Sequence, residues 1–114
     1  TYGFVFELDG CRMALISDTA YFPELAEMYR ADLWVVNVVR LRSEDSAGIE
    51  HLSLDQVEEM VRRAGPRAVV LTHFGMTVLR ARPDRLAQAM QERTGVRTIA
   101  ARDGMSLCPQ ELIA

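Results

Sequence analysis

Three short runs of apolar residues constrain the fold more than any other feature: Arg12–Ile16, Leu33–Val39 and Ala68–Leu71. Each is too short to be a helix of its own. Each also carries its apolar residues consecutively rather than alternately, as strands buried on both faces do. The segments between them read as helices. Alternation of buried strand and helix is the signature of a layered α/β sheet.

The flanking segments fill in the order. Phe4, Phe6 and Leu8 alternate with Val5 and Glu7, and Asp9-Gly10 follows as a two-residue hairpin turn leading into Arg12–Ile16. Pro23–Arg30 reads as a short helix with Leu25 and Met28 on one face. Residues 40–50 are polar and irregular, a loop. Ser53 and Gln56 then form a capping box ahead of a helix whose apolar face is Leu54, Val57, Met60, Val61 and Ala64, stopped by Gly65-Pro66. Pro83 opens a further helix with Leu86, Ala89 and Met90 on its face, ending at Gly95. Val96–Ala101 and Met105–Leu107 read as a closing hairpin across Asp103-Gly104. The expected order is ββαβαβαββ, a mixed sheet with helices on one face.

Composition excludes several functions. The net charge of -3 argues against a nucleic-acid surface built on bulk positive charge, although metal ions can supply positive charge locally. All 13 basic residues are Arg, which removes Schiff-base and P-loop lysine chemistry. Cys11 and Cys108 are far apart and fit neither a zinc knuckle nor a disulfide framework, so reduced thiols and a cytoplasmic location are expected. No apolar run is long enough to span a membrane.

Three polar residues stand out by placement. Asp18 and His73 each follow directly on a buried strand, and His51 comes just ahead of a capped helix. In open α/β sheets the carboxyl ends of the strands gather at one rim, where ligands bind. Carboxylate and imidazole together suit zinc, manganese or iron. Plainer roles are open for all three. Asp18 in Ser-Asp-Thr is good turn chemistry, His73 suits a hydrogen-bonded core edge, and His51 could partner the preceding loop. With only two histidines, a complete tetrahedral site within this chain is not expected.

In sequence order, Ser17-Asp18-Thr19, His51-Leu52-Ser53-Leu54, Leu71-Thr72-His73-Phe74 and Arg102-Asp103-Gly104-Met105 resemble the later motifs of metallo-β-lactamase-fold metal-dependent hydrolases. The resemblance is to the ribonuclease Z and phosphodiesterase branch. It implies that Asp18 bridges two divalent ions (zinc, with manganese or iron as alternatives), that His73 ligates the second, and that His51 is a non-ligand proton donor. The family's His-x-His-x-Asp-His cluster is absent. The resemblance thus identifies residues 1–114 as the C-terminal half of an αββα sandwich, inactive without its N-terminal half. The chain opening at Thr1-Tyr2-Gly3, directly on a strand, fits that expectation. The implied reaction is phosphodiester hydrolysis, of RNA or a small diester. An ester, lactone or thioester hydrolase and a non-catalytic assembly half-domain are the alternatives. The missing half, or self-association as a homodimer, is the expected partner, because the apolar strands have helices on one side only.

Overall fold

The computed structural model describes residues 3–17, 24–38, 52–72, 74, 76–102 and 104–113. Among these, β1 (Gly3–Leu8), β2 (Cys11–Ile16), β3 (Leu33–Asn37), β4 (Ala68–Thr72) and β5 (Arg97–Ala100) form one sheet in the order β1-β2-β3-β4-β5. The β1–β2 pair is antiparallel and the remaining pairs are parallel. Leu8 sits opposite Cys11, so Asp9 and Gly10 alone make the turn. Both have positive φ, 51° and 79°, the backbone that a two-residue hairpin needs and that Asp-Gly supplies at low cost.

The helices are α1 (Leu25–Met28), α2 (Leu54–Ala64), α3 (Met76–Arg80), α4 (Pro83–Thr94) and α5 (Pro109–Ile113). Helix α2 begins at the Ser53–Gln56 capping box, where the Gln56 side chain accepts from the Ser53 N–H at 3.0 Å. It ends at Gly65 in the left-handed conformation. Its buried residues are Leu54, Val57, Met60 and Val61, as the periodicity predicts. They pack on Ile16, Trp34, Val36, Val69 and Leu71 together with Leu25, Ala26, Ala87 and Met90. The Trp34 indole is fully buried, and its N–H donates to the Tyr29 carbonyl at 2.7 Å. That bond gives the one polar atom of this ring a partner, as burial demands.

The half-sandwich is present, but several details differ from expectation. In α1 the buried partner of Leu25 is Ala26, whereas Met28 is exposed. Four residues make one turn, so α1 has no second turn on which a 3.6-residue face could repeat. The expected third helix is preceded by a separate short helix, α3, and α4 buries Ala87 and Met90 rather than Ala89. β3 ends at Asn37, although the Val38 N–H extends the ladder to the Thr72 carbonyl at 2.9 Å.

The closing hairpin is replaced. Residues Met105–Leu107 are not a strand, and the chain turns at Pro109 into α5. Three residues are a weak strand, and Pro109 can open a helix but cannot extend a ladder. Leu112 of α5 packs with Cys11, Leu33, Ala68 and Val70 on the sheet face opposite α2 and α4. Gln110 Nε2 donates to the Asp9 carbonyl at 3.2 Å, tying α5 to the β1–β2 turn. Helices therefore do not all lie on one face. Even so, Phe4, Phe6, Leu8 and Leu15, which share the α5 face by register, are 70%, 39%, 49% and 36% exposed.

Candidate functional site at the carboxyl edge of the sheet

Strand direction decides where polar residues can converge. β2, β3, β4 and β5 are parallel, so their carboxyl ends share one edge. Val36 is the register point. It lies opposite Ile16 on one side and Leu71 on the other, and Leu71 in turn lies opposite Ala100. The chain thus leaves β2 toward Asp18 and β4 toward His73 at the same height, with β3 alone between them. At a strand spacing of about 4.8 Å, those two exits are about 10 Å apart.

Asp18, His51 and His73 themselves lie outside the described residues. Their neighbours are described. Ser17 follows the buried Ile16, and Thr72 ends β4. Leu52 and Ser53, directly after His51, are 2% and 0% exposed. Helix α2 starts on the carboxyl edge because it must carry the chain from the end of β3 back to the start of β4. The buried Leu52 and the capped Ser53 fix the backbone at that start.

The exit of β4 is held by a polar pair that the sequence reading passed over. Thr72 Oγ1 donates to Asn37 Oδ1 at 2.8 Å, and the Val36 carbonyl is 3.3 Å from the same hydroxyl. The Val38 N–H bonds the Thr72 carbonyl at 2.9 Å, and the Ala101 N–H bonds the Leu71 carbonyl at 2.9 Å. Backbone on both sides therefore grips β4 just before His73. The available signal was Asn37 itself, a lone amide within Leu-Trp-Val-Val-Asn-Val-Val.

Among the described residues no cluster of three or more His, Cys, Asp or Glu side chains could hold a metal ion. The donor types still fit one. A carboxylate and an imidazole following two strand exits about 10 Å apart suit shared coordination of a divalent ion, with further ligands supplied from elsewhere. Cys11 is no candidate: it is fully buried, and burial raises its thiol pKa, followed by the charge of Asp32. The strongest charge cluster lies away from this edge. Glu58 of α2 accepts from Arg93 at 2.7 and 3.0 Å and from Arg62 at 2.9 Å. Hydrogen bonding to Arg93 holds the Glu58 carboxyl below its ordinary pKa. This triad clamps α2 to α4 and has a structural role. No helix among the described residues is long and apolar enough to cross a membrane.

Comparison with known proteins agrees with this architecture. The chain is similar to the metallo-β-lactamase fold protein YhfI from Bacillus subtilis, at 17% identity and a TM-score of 0.68, over 82% of this chain and 38% of that one. A metallo hydrolase from the hyperthermophilic archaeon Ignicoccus hospitalis aligns at 18% identity and a TM-score of 0.67, covering 92% and 44% of the two chains. A diphosphatase of the PhnP family aligns at 16% identity and a TM-score of 0.58, covering 91% and 46%. The chain therefore spans less than half the length of these relatives. No curated protein matches it. Residues 1–74, well over half of the chain, match the beta-lactamase superfamily domain. The chain belongs to that superfamily and has the metallo-β-lactamase fold.

Proposed function

We propose that this chain is the C-terminal half of a metal-dependent hydrolase acting on phosphodiesters. The observation that carries the reading is the shared register point at Val36, which brings the exits toward Asp18 and His73 to one sheet edge. The likeness to a diphosphatase favours phosphorus over carbon esters. In this reading Asp18 and His73 would be the ligands that this chain contributes to two divalent ions. The remaining ligands come from the N-terminal half, which also packs on the exposed face carrying Phe4, Phe6 and Leu15. Bound ions would supply Lewis acidity and an activated water. His51, the residue before Leu52 and the Ser53 cap in sequence, would give a proton to the departing oxygen. The Thr72–Asn37 pair fixes the end of β4, from which the chain continues to His73.

The test is elemental analysis of the full-length protein combined with turnover of bis(p-nitrophenyl) phosphate against p-nitrophenyl acetate. Two equivalents of metal, lost in Asp18→Ala, and faster diester turnover are expected. A metal-free protein, or one that hydrolyses only the carbon ester, defeats the proposal.

A further inference from the structure

A cleft of about 860 Å³ opens beside the same edge, between α4 and β5. Its size is within the range that holds a small organic ligand. Phe74, Ala87 and Met105 supply apolar surface, and Gln88 and Gln91 supply amides. Gln91 is oriented: its Oε1 accepts from the outward-facing Thr98 N–H at 2.9 Å, leaving the amide nitrogen to donate. The Asp84 carboxylate is offset by Arg82 at 3.6 Å. Arg102, at the mouth, has no such partner among the described residues and gives the cleft a positive end. Arg102 lies just beyond the end of β5, on the carboxyl edge, and Phe74 is the residue after His73. The apolar body of the cleft therefore adjoins the candidate metal edge through its charged end.

An apolar pocket with amide donors and acceptors at its rim fits a flat ring bearing a hydrogen-bonding edge. A single guanidinium at the mouth fits the phosphate attached to that ring. We propose that this cleft seats the heteroaromatic arm of the phosphodiester, with Gln88 and Gln91 meeting the ring edge and Arg102 the phosphate. This rests on the proposed hydrolase reading and specifies which diesters the site prefers. A nucleobase and a plain aryl group share most of this chemistry, and the amides distinguish them.

The test compares three substrates with one leaving group in the full-length protein: the methyl, phenyl and thymidine 5′ esters of p-nitrophenyl phosphate. Thymidine is expected to exceed methyl by at least about 10-fold in kcat/KM, the usual worth of a filled pocket, with phenyl between them. Gln88→Trp, at an exposed rim position that tolerates replacement, should bring all three within about 2-fold of one another. Equal turnover of the three by the wild type, or a preference that survives Gln88→Trp, overturns the proposal. Phenyl equal to thymidine overturns ring-edge reading by the amides. If none of the diesters is hydrolysed, the hydrolase reading fails, and the cleft is judged by binding alone. Thymidine 5′-monophosphate should then shift the side-chain amide NMR signals of Gln88 and Gln91 in the wild type, and leave that of Gln91 unshifted in Gln88→Trp. Absence of any shift overturns the cleft as a ligand site.

Discussion

The Thr72 hydroxyl donates to Asn37 Oδ1 at 2.8 Å, joining the ends of two parallel strands one residue before His73. Both side chains are half-buried, so neither finds full compensation in water. Thr72→Val keeps the shape and removes the donor. It should lower stability by about 1 kcal/mol, read by urea denaturation. In the full-length protein it should also weaken metal binding by at least about 10-fold, because it loosens the support of a proposed ligand. Unchanged metal affinity would detach this pair from the site.

His51 separates a proton donor from a ligand. In the full-length protein His51→Ala is expected to leave metal content intact while kcat falls by about 10²- to 10⁴-fold. Loss of one metal equivalent in that variant reassigns His51 as a ligand.

Glu58 makes acid stability testable. Its folded pKa lies below the ordinary glutamate value, chiefly through the hydrogen bond from Arg93. A depressed carboxylate pKa stabilises the fold above the unfolded pKa, and that contribution is lost as pH falls through the folded one. Stability of the wild type should therefore decline as pH drops below the ordinary carboxylate range. Glu58→Gln should be less stable at neutral pH and show a flatter decline. Parallel pH profiles of the two urea midpoints would refute the assignment.

Gly3 is closely enclosed. A Cβ at this position would lie 2.5 Å from the Leu15 carbonyl oxygen and 2.8 Å from the Tyr29 ring. Since the nearer atom is backbone, relief requires β1 to move away from β2. Gly3→Ala should cost about 1 to 3 kcal/mol, the range of overpacked positions. A thermal midpoint equal to that of the wild type would contradict this packing.

The exposed face predicts self-association. Phe4, Phe6, Leu8 and Leu15 leave a contiguous apolar strip of a kind that monomers seldom tolerate. Light scattering on the isolated 114-residue chain should report a dimer or larger species. Phe4→Arg with Leu15→Arg should return it to monomer. A monomeric wild type at micromolar concentration would mean that this strip is not an interface.

Legibility in the sequence followed the strength of local signals. Asp9-Gly10 announced a two-residue turn because few other pairs accept positive φ at both positions. Ser53, Gln56 and Gly65 marked both ends of α2 to the residue. The terminal helix was missed because Met105–Leu107 looks extended in isolation. What decides its fate is Leu112, which finds an apolar seat among Cys11, Leu33 and Val70, a contact with no local trace. Asp18 and His73 stand out in the sequence by residue type and order, and both lie outside the described residues. Asn37, the Gln91 clamp on Thr98 and the α4–β5 cleft were not, because each depends on tertiary pairing between segments distant or unremarkable in sequence.

The strand order β1-β2-β3-β4-β5 has a consequence for how this chain comes into being. Every strand pairs with its predecessor, so each addition needs only what has already been synthesised. Assembly can proceed in the direction of translation, with the growing edge always the strand made last. Nothing in the sheet waits for a distant partner. A unit built this way needs no strand from elsewhere in a larger polypeptide to complete its own sheet, and would offer its carboxyl edge to the rest as a finished surface.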